Sequence, residues 1–495
     1  MTRVFPLPAP AIMSIAPFIV ETARNCSGLS SFFNVSKSIA IVVHSIKYVA
    51  FTQFMWYTIR NYFIKRGFFL MKAAVASFFT RHNFVCHENV NVLASAIFDD
   101  MNNGLAGKKS DEDMIKTYCL PPEKKVVNKS VIVIDAGGTN FRSCLVTFDG
   151  NGEASISEME KTRMPGVEKE LSKKEFFAQF ASNLDHLKNK ADCIGFCFSY
   201  PMSITEDGDG ILLGFSKEVK APEVVGSKIG ECLKAELESR GWKTINKITM
   251  LNDTVAALLA GHAIAPVGKK YSSYIGLILG TGLNAAYIQP AREGIAKQIV
   301  VCESGKTKAV TRSDFDIAFD RTTVTPGTFY MEKSCSGAYL GPVALLVIKG
   351  AAQDGLFSGA LSEKLLALDS LTLIEFDQYL HAPEADSTLG SLVKQYAQGD
   401  DGEILFELLD AVAERSARRA AAILSACVVQ SGAGVDSSAP VCILCNGTTF
   451  HKTYKVKDRV LGYLEEVLTV QRDLHWEVVW QDNDITLGTA IAGLI

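Results

Sequence analysis

The sequence predicts an α/β fold with sheets covered by helices, built as two related lobes facing a cleft. Three observations carry this. Short β-branched or apolar runs alternate with helix-length stretches from residue 131 to residue 480, the pattern of helix-covered sheets. Two strand–glycine–strand hairpins stand in separate halves, at Asp135–Arg142 and Gly280–Ala285. The chain has 495 residues, enough for more than one domain at roughly 100–200 residues each. Its 48% hydrophobic and 21% charged content reads as globular, with no sign of disorder or of a repeat array. A net charge of −4 gives no global basic field, so no nucleic-acid partner is expected. The twelve cysteines form no paired framework, and several sit in apolar runs, which suits reduced buried thiols. Cys442 and Cys445 match a CxxC, yet the apolar Ile443 and Leu444 between them favour strand packing over metal or redox chemistry.

A seam falls near residue 70. Residues 1–70 hold one acidic residue, Glu21, against seven basic ones, and nine of the 28 phenylalanines. Ser38–Ile59 is apolar enough to weigh as a membrane span of about 20 residues, but His44 and Lys47 interrupt it. Three readings fit: an upstream extension absent from the working protein, which would start at Met71; a membrane anchor; or a folded extension. Membrane contact is expected only if residues 1–70 are real.

From Met71 on, residues 91–105 carry helical apolar spacing, ended by Asn103-Gly104 in the manner of a C-terminal cap. Residues 108–129 are a polar connector. Val131–Ile134 and Phe141–Phe148 make the first hairpin. Helices follow at 173–190 and 225–240, with strands at 191–198 and 245–251, and Asp253 opens a helix through Gly261. Tyr274–Leu279 and Ala285–Ile288 form the second hairpin. Further helices are expected near 338–352, 361–368, 402–430 and 456–470, and strands near 440–445 and 475–480.

Asp135-Ala136-Gly137-Gly138-Thr139-Asn140-Phe141-Arg142 is chemically loaded. A strand ends in a carboxylate, and two glycines then leave backbone N–H groups bare, which makes an anion-binding nest. The carboxylate suits Mg²⁺ held through water. Gly280-Thr281-Gly282-Leu283-Asn284-Ala285 formally matches the dinucleotide fingerprint, which must open a helix. Here a strand follows and stops at Pro290, so the segment reads as a second phosphate hairpin. Asp207-Gly208-Asp209-Gly210 lacks the later ligands of a calcium loop and reads as a turn. Asn252-Asp253-Thr254 sets an amide and a carboxylate where a strand meets a helix. Two readings stand at this point: a helix N-cap, or a general base taking a proton from an attacking hydroxyl.

Taken together, these residues resemble the hexokinase family. Its Asp-x-Gly-Gly-Thr-Asn-Phe-Arg is Asp135–Arg142, its Phe-Ser-Phe-Pro is Phe198–Pro201, its Asn-Asp-Thr is Asn252–Thr254, and its Gly-Thr-Gly-x-Asn-Ala is Gly280–Ala285. A later Pro-Gly…Glu-Lys…Ser-Gly-x-Tyr-Leu-Gly run matches Pro326–Gly341, with Thr325 in place of the family's Asn. The resemblance covers residues 90–495. It implies the two-lobed actin-like ATPase (ribonuclease H-like) fold with an interdomain cleft. Implied bounds are an extension at 1–70, an N-terminal helix and connector at 71–130, a small lobe at 131–252 and a large lobe at 253–495, whose last residues can return to the small lobe. The implied activity is ATP-dependent phosphorylation of a hexose, glucose first, to its 6-phosphate, the first step of glycolysis, in the cytoplasm. Another hexose, an amino sugar, or a catalytically silent sugar-binding regulator are the alternatives. Matched positions give a sugar site of Ser199, Ser216, Lys217, Asn252, Asp253, Asn284, Glu303 and Glu332, with Asp253 as base and Lys217 steadying charge. ATP is assigned to Asp135, Gly137, Gly138, Thr139, Asn140, Arg142, Gly280, Thr281, Gly282, Gly447 and Thr448, and Mg²⁺ to Asp135. Three departures stand out: Phe215 replaces a Trp, Val301–Gly305 replaces Asn-x-Glu-Trp-Gly, and Asn446 replaces an acid beside the adenosine position.

Overall fold

The computed structural model describes residues 71–495 apart from 216–218, 244 and 267. Ser216, Lys217 and the expectations for residues 1–70, including the apolar stretch Ser38–Ile59, lie outside the described residues. Met71–Ile495 is a single compact unit. Among the described residues no helix is long and apolar enough to cross a membrane.

The chain enters through α1 (Ala73–Arg81) and α2 (Val90–Leu105). Asn89 caps α2 by accepting from the Val92 N–H at 3.1 Å, and Val90, Leu93, Ala94, Ile97, Met101 and Leu105 form its buried stripe. The helix ends at Leu105 as expected, but Gly104 is not its cap: the left-handed glycine past the helix end is Gly107, φ 68°. Gly104 lies inside the helix because the connector crosses it, and a Cβ there would meet Met114 Cγ at 2.7 Å.

Next come β1 (Ile115–Lys116), β2 (Lys129–Gly137), β3 (Asn140–Phe148), β4 (Ala154–Arg163), α3 (Lys173–Ser182), β5 (Cys193–Phe198), β6 (Met202–Ile204), β7 (Gly210–Leu212), α4 (Ile229–Ser239) and β8 (Lys247–Leu251). The sheet order is β4-β3-β2-β5-β8, antiparallel across the first three strands and parallel across the last three. Then follow α5 (Asp253–Ala263), β9 (Ser273–Leu279), β10 (Leu283–Gln289), β11 (Gln298–Val301), α6 (Asp314–Asp320), α7 (Tyr330–Lys333), α8 (Gly337–Gln353), α9 (Gly359–Leu366), α10 (Leu373–His381), α11 (Thr388–Tyr396) and α12 (Asp401–Ser431). The chain finishes with β12 (Val441–Asn446), α13 (Thr448–Lys452), α14 (Val456–Leu464), β13 (Trp476–Val479) and α15 (Asp484–Gly493). The second sheet runs β1-β11-β10-β9-β12-β13, and from β11 onward it repeats the first sheet's pattern of directions. Two lobes of one topology, each with a glycine hairpin at its centre, make the actin-like arrangement.

Several helices stop short of the sequence pattern. The 173–190 helix ends at Ser182, and a tight turn over Asp185–Leu187 then buries Leu184 and Leu187. The 225–240 helix begins only at Ile229, because Pro222 and the left-handed Gly226 keep the preceding chain out of the helix. Past Leu464, the 456–470 helix widens into a wider-wound turn over Glu465–Val470. The Asp207–Gly210 turn also does more than reverse the chain. Asp209 is buried and accepts from the Gly230 and Glu231 N–H groups at 2.7 and 2.9 Å, capping α4 from outside.

One core cluster fills the space between the first sheet and α3 and α4. Another joins α5 and α15 to both sheets. There the backbones nearly touch: a Cβ on Gly488 would lie 1.8 Å from the Ala256 carbonyl, and one on Gly195 would lie 2.0 Å from that of Thr489. Deep in the helical part, Arg415 holds Asp316 with two bonds at 2.8 and 2.9 Å, and Arg419 holds Glu88.

Candidate active site

The first glycine turn is a two-residue reversal, since Gly137 pairs with Asn140 and Gly138 carries φ 55°. Nothing stands within 4 Å of where a Gly138 Cβ would be, so this turn presents open backbone. Tyr200 clamps it by donating its hydroxyl to the Gly138 carbonyl at 2.9 Å. Ser199 lies against Gly137 so closely that a Cβ on that glycine would come within 2.8 Å of the serine Cβ. Register sets Asp135 opposite Arg142, and the guanidinium donates to the carboxylate at 2.8 Å.

The second turn, Gly280–Gly282, joins β9 to β10 as a hairpin, and β10 is a strand throughout. It is tied from behind. The Gly337 and Ala338 N–H groups at the start of α8 donate to the Gly280 and Thr281 carbonyls at 2.7 and 3.1 Å, and Thr449 Oγ1 donates to Gly280 at 2.8 Å. Gly447, φ 117°, sits against Leu279 with no room for a side chain: its Cβ would lie 2.2 Å from the Leu279 carbonyl oxygen. Thr448 opens α13 and is exposed.

The two readings of Asn252-Asp253 resolve into two residues with two tasks. Asn252 is the cap of α5, accepting from the Thr254 N–H at 2.7 Å. Asp253 is thereby spared capping and faces the cleft, steadied by the Thr254 hydroxyl at 3.2 Å. Burial pushes its carboxyl above the usual range, the Thr254 bonds oppose that, and the charge of Asp135 adds to it.

Facing it, Asn284 and Glu303 clasp each other: Asn284 Nδ2 donates to Glu303 Oε1 at 2.7 Å, and the Glu303 N–H returns to Asn284 Oδ1 at 3.0 Å. Glu303 holds φ 59°, a strained left-handed backbone that turns its side chain inward after β11. Glu332 Oε2 accepts from the Leu283 N–H at 2.9 Å, across a Gly282 that leaves it space. Burial raises both glutamates, and Lys306 partly offsets the effect at Glu303. Lys333, next in sequence, is structural: its ammonium is buried against Asp320 and the Thr325 carbonyl at 2.6 Å each.

Ser199, Asn252, Asp253, Asn284, Glu303 and Glu332 all line one cavity of about 570 Å³, and Gly282 lines it with them. The remaining residues expected to hold nucleotide, Asp135, Gly137, Gly138, Thr139, Asn140, Arg142, Gly280, Thr281, Gly447 and Thr448, lie outside that cavity. They form two turns at the ends of β2 and β9 and the start of α13. Sequence reasoning missed Asp113, Lys306 and Phe329 on the same cavity wall, where Lys306 pairs with Asp113 at 2.5 Å. Phe329 stands at an unspecified position inside the Pro326–Gly341 run, Lys306 directly follows Val301–Gly305, and Asp113 lies in the polar connector, so no motif letter marks any of the three. It also missed Asp484, which receives the Asn446 amide at 2.7 and 2.9 Å.

Residues 77–263 and 274–495 match the two family models described as hexokinase. The chain is 26% identical over 409 residues to Hexokinase-1 of Schizosaccharomyces pombe, covering 77% of this chain and 82% of that protein. It is 26% identical over 406 residues to Glucokinase-1 of Kluyveromyces lactis, covering 70% and 82%. With the Hexokinase-like 1 protein of Arabidopsis thaliana it shares 28% over 381 residues, covering 71% and 73%. The structure overlays on the glucose complex of Schistosoma mansoni hexokinase with TM-score 0.66 at 22% identity, covering 82% of this chain and 95% of that one, and the likeness shows the actin-like fold. With the paired glycine turns and the carboxylate-lined cavity, these matches assign the chain to the hexokinase family.

Proposed function

We propose that the protein phosphorylates a hexose, glucose first, at its 6-hydroxyl with ATP. One observation carries this reading. A carboxylate relieved of capping by its neighbour, Asp253, shares a cavity with Asn284, Glu303 and Glu332, the acceptors and donors a polyhydroxyl ligand needs. Asp253 takes the proton from the attacking hydroxyl, and its raised pKa brings its basicity nearer to working pH. Glu303, Glu332, Asn252, Asn284 and Ser199 hold the ring hydroxyls. A sugar lacking one of these hydroxyls leaves a buried group unpaired, which is the source of selectivity. Ser216 and Lys217 are assigned to the sugar by sequence likeness alone.

ATP is assigned to the two glycine turns with Gly447 and Thr448. The turns fit a phosphate chain: Gly138 is open to approach, and Gly447 has no room for a side chain. Asp135 fits Mg²⁺, an oxygen-seeking ion, and Arg142 would compete for or share that carboxylate. Bound there, Mg²⁺ would neutralise developing phosphate charge. The residues' own part is alignment of hydroxyl and phosphate and exclusion of water. The buried thiols fit a reducing, cytoplasmic setting.

The test is ADP release with a panel of glucose, mannose, fructose and glucosamine under Mg²⁺-ATP. Turnover with none of them, alongside measurable glucose binding, would favour the silent regulator. One observation leans that way: Asn446, an amide, occupies the position beside the adenosine site, bonded to Asp484.

A further inference from the structure

Three parallel strands, β9, β12 and β13, end side by side. In open α/β sheets, ligands gather outside the carboxyl ends of such strands. The ends of β9 and β12 carry Gly280 and Gly447, both assigned to phosphate under the function proposed above. The end of β13 carries Trp480, one residue past Val479, which pairs with Leu444 two residues before Asn446. Trp480 is 54% exposed, a large aromatic surface left open at the end of a half-buried strand.

The indole is not loose. His451 of α13 lies beside it, ring centroids 5.5 Å apart and tilted 56°. His451 is fixed in turn, since its Nε2 meets the Cys445 carbonyl at 2.8 Å, and because a carbonyl only accepts, that nitrogen carries the proton. Asp484 and Asn446 close the same end of the sheet. From β9 to β13 is two strand spacings, roughly 10 Å, a span that a ribose and an α-phosphate can bridge.

We propose that Trp480, braced by His451, is the platform on which the purine base of the nucleotide stacks. This rests on the nucleotide reading above and adds a base-binding residue that no motif of the sequence marks. Stacking is sequence-tolerant because every base has a π-face, so the platform favours purine over pyrimidine nucleotides by area rather than by hydrogen bonding.

The test measures ADP binding by titration calorimetry on the full chain, wild type against Trp480→Ala and Trp480→Phe, with indole emission followed in parallel. The expected result is weaker ADP binding in Trp480→Ala by on the order of 5- to 100-fold. Trp480→Phe should recover most of it, and ADP should quench a wild-type emission component that is missing from Trp480→Phe. The KM for ATP should rise in Trp480→Ala while the KM for sugar stays put. Equal ADP affinity in wild type and Trp480→Ala overturns the platform and leaves the kinase reading intact. Absence of ADP binding by the wild type, with or without glucose, removes the nucleotide reading and this inference with it.

Discussion

Asp253→Asn separates charge from shape at the cleft. The cap of α5 is Asn252, so the substitution leaves the helix start intact, and the new amide oxygen can still accept from Thr254. A helix N-terminus favours an acid by roughly 0.3–1 kcal/mol, and that is lost. Against it, burial and the charge of Asp135 both disfavour ionised Asp253 in the folded protein, and an amide escapes both. The two effects have opposite sign, so thermal stability should hardly move. Catalysis should move a great deal. A positioned general base contributes about 10²–10⁴-fold, or roughly 3–5 kcal/mol of barrier. Coupled ADP release at saturating glucose and Mg²⁺-ATP should show kcat falling by that factor, with glucose affinity nearly kept. The pH profile supplies a second check. Wild-type kcat should fall as pH drops through the raised Asp253 pKa, above the ordinary 3.8, and the asparagine variant should lose that acid limb. A variant keeping kcat within about tenfold, a loss near 1.4 kcal/mol, refutes the assignment.

Arg415→Met should destabilise the fold by about 3–5 kcal/mol, because Asp316 would stay buried without its bidentate partner; urea unfolding reads this. Burial alone would raise Asp316, but Arg415 and Arg419 outweigh it and hold it below 3.8, so the wild-type contribution is present above that pH and is lost on acidification. Glu112→Gln should act in the opposite sense. Glu112 is 1% exposed with neither carboxyl oxygen partnered among the described residues, and burial raises it well above 4.5. As pH rises past 4.5 the unfolded chain ionises first, so the wild type loses up to about 1.4 kcal/mol per pH unit until the folded pKa is reached. The glutamine variant should therefore match wild type near pH 4 and exceed it at pH 8 in the same unfolding assay. A chain beginning at Met71 should fold and turn over sugar like the full chain, since Met71–Ile495 forms a compact unit by itself; insoluble or inactive protein would count against it.

Both hairpins were legible because each joins period-two strands through glycines whose positions the backbone needs. Asp253 was marked by its place where a strand meets a helix, but Glu303 and Glu332 were legible only through motif likeness: nothing local marks Glu303, which holds a left-handed backbone beside its clasp with Asn284. β4 escaped notice because its residues are almost all exposed, so no alternation of apolar and polar faces exists to read. α15 escaped for the opposite reason. It is buried nearly all round, and a helix without a polar face has no period. Trp480 and Asp484 lie far in sequence from the turns they join, and only sheet order brings them there.

That helix also governs when the protein can become itself. α15 packs on β2 and β5 of the first sheet and on α5, whose first residue is Asp253, through contacts that admit no side chain at Gly488. Yet it is made roughly 350 residues after β2. At about 5–20 residues per second, the first lobe waits roughly 20 to 70 seconds on the ribosome with that face uncovered. A nascent chain therefore carries both glycine turns before it can close the core behind Asp253. Until α15 arrives, the apolar back of that sheet is a natural client for chaperones.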